Sequence, residues 1–415
     1  MSRKDTRIDH RGVHHRHIYE RWSFSMSKMY LGVDIAKDTH YAAMTDQHGV
    51  VLIQPFPFTN DMNGFRSFWE KVESYMSKND VTVGFESTAH YATNFIHFLD
   101  ENLIPFMIIN PLVTSSLRVS KIRKTKTDSV DALLICQALQ QTIDHPTNYR
   151  TEEMENLYAL CCARRNIIQM RTKAKIQFVS YLDRNFPELA KFFKGNLHIK
   201  TCYELIKKYP TSEAIKKVRI DALTNLFVSS SHGRYGKDKA LELKELAKVS
   251  IGINSSSFAL QAQLAIGQIE LYTEQLKTID KQIDEIVASL DTRLKSIPGM
   301  DSYAIAVFLS ATNNLSNFTS PCKVLAYAGL DPVVSQSGKF KAQSTKMSKR
   351  GNSLLRYSLV WTAWNVCLHN FTFMNYYNKK RMEGKSHYSA LGHCAGKLNR
   401  IIFKMIKDNV DFNLD

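Results

Sequence analysis

Between residues 29 and 141, short apolar runs alternate with amphipathic helical patterns, and this alternation most constrains the fold. Three apolar runs come first, with a DQHG turn before the third: MYLGVDIA, HYAAMT and VVLIQPF. They predict an antiparallel meander that opens a sheet. A helix over about 61–76 follows, and then a strand, a helix, a strand and a closing helix: VTVGFE, YATNFIHFLDEN, IPFMIINP and TKTDSVDALLICQAL.

This order of elements is that of an α/β RNase H-like (RuvC-like) fold, in which three strands precede two helix–strand units and a closing helix. A dinucleotide-binding Rossmann domain would need a glycine-rich turn after the first strand, and the turn here, DIAKDTH, has no glycine. We therefore expect an RNase H-like domain over residues 29–149.

Four carboxylates occupy the positions where such a fold would place metal ligands. Asp34 ends the first strand and Glu86 the fourth, while Asp128 and Asp131 lie three apart on one face of the closing helix. Any one of them alone is more often a turn residue. Together they predict a centre that binds Mg²⁺, or Mn²⁺ in its place, and performs metal-assisted phosphoryl transfer.

Composition narrows the partners. The 415 residues carry a formal net charge of +16, which favours a polyanion such as nucleic acid. No apolar run reaches the roughly 18 residues of a membrane span, so we expect no membrane partner. The seven cysteines lack metal-ligand or disulfide-framework spacing, which is typical of reduced thiols in a cytosolic protein.

Residues 1–28 form an extension that we expect to be disordered. It is rich in His and Arg without an apolar core, so it does not resemble a secretory signal. Its histidines could in principle bind a metal, although disorder is the better interpretation: His10, His14, His15 and His17.

Residues 150–295 read as helical, and an apolar heptad pattern runs from Phe258 to Leu290. It predicts a coiled coil, either within one chain or between subunits. The preceding helix, about 151–185, carries a row of cations that is either a solvated face or a contact with a nucleic-acid backbone: Arg164, Arg165, Arg171, Lys173 and Lys175.

Residues 296–408 form a further, mainly helical unit. Pro298-Gly299 could open a phosphate-binding helical hairpin, but a plain turn is at least as good an interpretation. Between Pro332 and Met382 there are nine Lys and Arg and no acidic residue. Aromatic residues follow closely, and their helical spacing favours a core over base stacking.

Cations also precede the acidic pair directly. The run RVSKIRKTKTD can offset repulsion between the carboxylates and lead a phosphate backbone to them. The candidate nucleic-acid contacts of the whole chain are these: Arg123, Lys124, Lys126, Arg164, Arg165, Arg171, Lys339, Lys349, Arg350 and Arg356.

A resemblance to one family covers nearly the whole chain, from about Tyr30 to beyond Arg356. It is carried, in order, by GVDIAK, GFESTAHY, KTDSVDA, RNFPEL, SIPGM, YAGLDPVVSQSGK and MSKRGNSLLR. These segments resemble the DEDD-type insertion-sequence transposases that include the Piv DNA invertases. The resemblance implies a RuvC-like domain, a coiled coil and a C-terminal transposase domain, here 29–149, 150–295 and 296–408.

The family resemblance also implies roles for residues. The acidic tetrad falls on Asp34, Glu86, Asp128 and Asp131. The catalytic serine, which precedes Gly in P-x-x-x-x-S-G, falls on Ser337. By itself a serine in such a loop is rarely a nucleophile, although cations nearby could stabilise the charge that develops on a phosphate.

Implied partners are a bridge RNA encoded by the element, donor and target DNA, and further copies of the chain in a tetramer with a composite site. A prokaryotic, nucleoid-associated protein is implied as well. Two alternatives stay open: a RuvC-like nuclease or resolvase that uses water, and a non-catalytic nucleic-acid-binding scaffold.

Overall fold

A computed structural model describes residues 29–75, 80–86, 91–120, 127–142, 150–332, 336–337, 340–341 and 347–413. The chain divides after Tyr149 into two compact units, Met1–Tyr149 and Arg150–Asp415. The extension with its histidines lies outside the described residues, as do four of the candidate contacts: Arg123, Lys124, Lys126 and Lys339.

The first unit is built on a five-stranded sheet in the order β3-β2-β1-β4-β5. Its strands are β1 (Met29–Asp34), β2 (Thr39–Asp46), β3 (Val51–Thr59), β4 (Val81–Glu86) and β5 (Phe106–Ile109). β1, β2 and β3 pair antiparallel, whereas β4 runs parallel to both β1 and β5. The mixed sheet and its order are compatible with the predicted RuvC-like domain.

Within the described residues of this unit, four helices cover both faces of the sheet: α1 (Met62–Glu73), α2 (Thr93–Glu101), α3 (Pro111–Ser120) and α4 (Asp128–Thr142). Side chains alternate along the central strand, so Leu31 joins the aromatic core under α1 and α2. Tyr30, its neighbour, packs on the opposite face with Leu139 of α4. This double coverage explains why β1 and β4 are apolar almost throughout.

The second unit begins with two long helices, α5 (Glu152–Asn185) and, further along, α11 (Ser256–Ser289). They pair antiparallel, because Arg164 forms an ion pair with Asp280 and the Asn185 side chain bonds the backbone of Ser255. The apolar positions predicted over 258–290 are buried or half-buried along α11. Knobs-into-holes packing of a coiled coil stays a prediction.

Five shorter helices connect the end of α5 to the start of α11: α6 (Glu188–Phe192), α7 (Lys200–Lys208), α8 (Ser212–Lys217), α9 (Ile220–Ser231) and α10 (Lys237–Lys248). Their core is continuous with the adjoining part of the helix pair, where Phe178 and Phe227 are fully buried.

The rest of the unit comprises a 3₁₀ turn (Arg293–Ser296), α12 (Ser302–Thr312), α13 (Pro321–Ala328), β6 (Gln336–Ser337), β7 (Phe340–Lys341), α14 (Ser353–His369), α15 (Phe371–Met382) and α16 (His387–Asp408). Pro298-Gly299 is a turn between the 3₁₀ segment and α12. Gly299 has φ +84°, and a Cβ there would lie 2.7 Å from the Asn365 carbonyl oxygen. Among the described helices, none is both long and apolar enough to span a membrane.

Candidate active site

Two of the predicted carboxylates lie at the carboxyl ends of neighbouring parallel strands. β1 and β4 are in register up to the pair Val33 and Phe85. Asp34 and Glu86 are the next residue on each strand, so the sheet alone places them side by side. The carboxyl edge of parallel strands is where α/β folds commonly build their sites.

Helix α4 brings the other two carboxylates to the same place because it packs directly on the sheet backbone. A Cβ at Gly32 would lie 2.6 Å from the Cys136 nitrogen and would also overlap the Ala132 carbonyl oxygen. Gly84, the partner of Gly32 in the sheet, leaves room for Leu139 in the same way. The two glycines therefore allow the close approach that sets the start of α4 beside Asp34.

Electrostatics at Asp34 shows that the four carboxylates converge. Burial, and after it the charges of Asp131, Asp128 and Glu86 in that order, raise the pKa of Asp34 to about 6. Arg118 acts in the opposite direction. Each of the three other carboxylates is therefore near enough to Asp34 to act on its pKa, and their joint role as a metal site stays a prediction.

Helix α3 contributes two donors to this acidic cluster. Thr114 was not predicted from the sequence, whereas Arg118 begins the basic run that was expected to offset repulsion between the carboxylates. The Thr114 hydroxyl donates a hydrogen bond to Glu86 Oε1. Arg118 Nη2 lies 2.8 Å from Asp131 Oδ1. Their spacing of four residues was the available signal, because it places both side chains on one helix face.

The donor set suits a hard divalent cation, since four carboxylates supply only oxygen ligands. As the side chains stand in the described part of the chain, no three His, Cys, Asp or Glu residues are close enough together to hold one ion. Thr114 and Arg118 contact two of the four carboxylates. Residues and chemistry therefore fit a metal site whose side chains must turn to bind.

The predicted serine lies in a small hairpin of the second unit. The backbone of Ser337 pairs with Phe340 across β6 and β7, and Pro332 forms a β-bridge with Met347 at the base of the loop. The side chain of Ser337 is outside the described part of the structure. Asp331, just before the loop, accepts a hydrogen bond from the Ser348 hydroxyl.

Two predicted nucleic-acid contacts on α5 have partners within the second unit. Arg164 forms the ion pair with Asp280, and its guanidinium lies 4.1 Å from the centre of the Tyr303 ring. Arg165 lies 4.0 Å from the centre of the Tyr357 ring, and its Nη1 is buried without a hydrogen-bond partner among described groups.

The remaining described cations among the predicted contacts differ in hydrogen bonding and in exposure to solvent. Arg356 donates from Nη1 to the carbonyl oxygens of Ala328 (2.9 Å) and Lys349 (3.2 Å), so it holds the start of α14 in place. Lys349 and Arg350 are exposed in the turn before that helix. Arg171 is half-buried on α5.

The interpretation of the C-terminal aromatics as core residues was right only in part. Phe373 is fully buried, and Trp364, Tyr376 and Tyr377 pack partly buried against the same core. For Trp361 and Phe371 it was wrong, because they are 46% and 79% exposed. Helical spacing identified the elements, but it could not tell which faces of α14 and α15 meet the core.

Two family models match this chain. Residues 31–187 match a transposase model, the DEDD domain of IS110, and residues 291–378 match the Transposase IS116/IS110/IS902 family. Together with the mixed sheet and its four convergent carboxylates, these matches define a DNA transposase, an enzyme that transfers DNA strands.

Relatives of similar length align along most of the chain. A protein of insertion element IS116 from Streptomyces clavuligerus is 22% identical over 387 residues, which are 92% of this chain and 95% of the relative. The pilin gene-inverting protein of Moraxella bovis is 23% identical over 397 residues, 94% of this chain and 98% of that protein. The chain belongs to the IS110/IS116 family of insertion-sequence transposases. DEDD-type transposase domains generally use divalent metal ions.

Proposed function

We propose that this transposase recombines DNA through a covalent phosphoserine, under the guidance of an RNA made by its own element. One observation carries the acidic half of the proposal: the charges of Glu86, Asp128 and Asp131 all act on Asp34. Four clustered carboxylates repel one another unless a cation lies among them, so the cluster is suited to binding a cation.

Asp34, Glu86, Asp128 and Asp131 would hold the metal, Mg²⁺ or Mn²⁺. When bound, such an ion supplies positive charge beside a phosphate and lowers the barrier to its displacement. In this proposal the carboxylates of the two strand ends and of α4 would hold the ion beside the scissile phosphate. The four residues therefore act as one site, and each is needed.

Ser337 would be the nucleophile. Its Oγ loses a proton and forms a bond to phosphorus, while the bond from phosphorus to the 3′ oxygen of the strand breaks and that oxygen takes up a proton. A 3′ hydroxyl of the other duplex later attacks the phosphoserine and releases the serine. Each step exchanges one phosphoester for another, so no external energy source is required.

The net charge and the relatives support the proposed partners. A net charge of +16 suits an RNA together with donor and target DNA. The Moraxella relative is named as a gene-inverting protein, which supports site-specific recombination for this chain. We further propose a tetramer, joined through the α5 and α11 helices as coiled coils, in which the acidic centre and Ser337 of different subunits form one site, and action at the bacterial nucleoid.

The covalent step is tested by trapping a protein–DNA adduct on a denaturing gel. The full-length chain, a guide transcribed from the noncoding DNA beside its gene, and labelled DNA should give an adduct that Ser337→Ala abolishes. Ser335→Ala, two residues earlier in the sequence, is the matched control and should retain it. Strand cleavage by Ser337→Ala at the unaltered rate would favour a nuclease that uses water.

RNA guidance has its own experiment. Omitting the guide should abolish recombination, and changing the guide loop that pairs with the target should redirect insertion to the matching sequence. Recombination that proceeds equally without RNA would refute the guidance and leave the serine chemistry intact.

A further inference from the structure

Helix α3 carries two donors that engage the acidic centre on separate carboxylates. Thr114 and Arg118 are four residues apart and so share one face of the helix. Thr114 donates to Glu86, at the end of β4, and Arg118 contacts Asp131, on α4. One helix face therefore touches both structural halves of the centre, the strand ends and the α4 side.

The contact between Arg118 and Asp131 is short but incomplete. Nη2 lies 2.8 Å from Oδ1, yet the two groups are not aligned as a hydrogen bond, and Oδ1 is a buried oxygen without a hydrogen-bond partner in the described structure. Arg118 Nε is likewise buried and lacks such a partner among described residues. Unsatisfied buried groups of this kind are costly, so the pair is suited to further ligands.

Asp131 and Arg118 would bind further ligands of opposite charge. A carboxylate oxygen with spare lone pairs is a ligand for a divalent cation, whereas a guanidinium edge with a free N–H is a donor for a phosphate oxygen. The side chain of Arg118 is 37% exposed, whereas that of Asp131 is almost fully buried. The arginine is therefore the partner that has room to leave the pair.

We infer that Arg118 is an internal counter-ion of the acidic centre, which a divalent cation displaces from Asp131, and that the displaced guanidinium then binds a phosphate of the DNA strand. This inference rests on the metal role proposed above for the four carboxylates. It assigns α3 a function of its own: Arg118 balances the charge of Asp131 before metal and substrate arrive, and contacts the substrate afterwards.

Competition between Arg118 and a cation can be measured without any reaction. We would titrate Mn²⁺ into the full-length chain without nucleic acid and follow free Mn²⁺ by electron paramagnetic resonance. Arg118→Gln should bind Mn²⁺ roughly tenfold more tightly, the size of effect that one neighbouring like charge exerts on another. Arg66→Gln, an exposed arginine on α1, is the matched control and should leave the affinity unchanged.

The second half of the inference concerns DNA. At saturating Mn²⁺ and guide RNA, Arg118→Gln should cleave on the order of tenfold to a hundredfold more slowly, because a charged donor to the phosphate is lost. Tighter metal binding combined with slower cleavage is a signature that a merely structural arginine does not produce. If Arg118→Gln does not fold, Arg118→Met, which keeps the aliphatic stem, provides the same comparison.

The outcomes separate this inference from the function on which it rests. Equal Mn²⁺ affinity of Arg118→Gln and the unaltered chain overturns the counter-ion role, whatever the carboxylates do. Unaltered cleavage by Arg118→Gln overturns the phosphate contact. The metal role itself fails by a different result, namely Mn²⁺ binding that is the same after Asp131→Asn and Asp34→Asn.

Discussion

The backbone N–H of Gly32 donates a hydrogen bond to Sγ of Cys136 over 3.1 Å, so α4 lies directly on the central strand of the sheet. Burial raises the pKa of the Cys136 thiol to about 11. At neutral pH it therefore keeps its proton and donates to the Ala43 carbonyl oxygen at 3.2 Å. This contact fixes the height of α4 above the sheet, and the start of α4 carries Asp128 and Asp131.

Gly32→Ala is therefore predicted to damage both stability and activity. The added methyl would meet backbone atoms of α4, which cannot rotate away as a side chain could. We expect a loss of about 1–3 kcal/mol in the free energy of unfolding, together with a large loss of strand cleavage as α4 shifts from Asp34. Urea denaturation and a cleavage assay measure the two effects.

A matched glycine on α11 serves as the control for that substitution. A Cβ at Gly267 would meet nothing within 4 Å. Gly267→Ala should therefore raise stability by roughly 0.5–1 kcal/mol, as expected for alanine in an exposed helix interior. If Gly32→Ala were equally harmless, the close approach of α4 would not be what positions the acidic pair.

The sheet and its carboxylates were predictable because apolar runs of strand length leave a strong pattern, and each acidic residue ends such a run or begins a helix. Helix α3 was not predicted, because its segment PLVTSSLRVS continues into a basic run that was interpreted only for its charge. The interaction of Thr114 with Glu86 joins residues 28 apart, and no local pattern encodes that distance.

Replacing Asp34 should stabilise the protein in a pH-dependent way. The folded-state pKa of Asp34 is raised from 3.8 to about 6, so the stability associated with its protonated form is present below about pH 4 and is lost as the pH rises through 6. Asp34→Asn removes that loss. In EDTA, we expect it to gain about 1–2 kcal/mol in unfolding free energy at pH 7.5, after allowance for solvent screening, and nothing at pH 4.

Denaturation of both proteins at the two pH values checks this prediction. Adding Mg²⁺ at pH 7.5 should stabilise the unaltered protein more than Asp34→Asn, and so reduce the difference between their free energies of unfolding. A gain of the same size at pH 4 and pH 7.5 would contradict an origin in charge repulsion at Asp34.

Removing the charge of Arg164 should affect protein stability, whereas removing that of Arg350 should affect DNA binding. Arg164 lies between Asp280 and Tyr303, so Arg164→Gln should lower unfolding free energy by about 1–2 kcal/mol. Arg350 is exposed in the turn before α14. Arg350→Gln should leave stability unchanged, weaken DNA binding and reduce the slope of log affinity against log salt by about 1.

Denaturation and binding titrations at several salt concentrations, with a random-sequence duplex, separate the two arginines. The prediction for Arg350 is wrong if the salt slope keeps its value. The prediction for Arg164 is wrong if its loss changes the slope and leaves the unfolding curve where it was.

Trp361 is predicted to bind bases, whereas Phe373 supports the core. The exposed Trp361 ring lies 6.1 Å from the Tyr357 ring, which also lies against Arg165. Exposed aromatic rings beside a cation form a surface on which single-stranded bases stack, and each stacked base contributes about 1–3 kcal/mol to the binding free energy. Trp361→Ala should therefore weaken single-strand binding by that amount and change stability little.

Phe373→Ala is the matched comparison, because the side chain is fully buried and its loss should cost about 3–5 kcal/mol of unfolding free energy. Oligonucleotide titrations followed by tryptophan fluorescence, with urea denaturation of each variant, measure both effects. Unchanged oligonucleotide affinity after Trp361→Ala would exclude stacking at this ring and leave its exposed face to a protein partner.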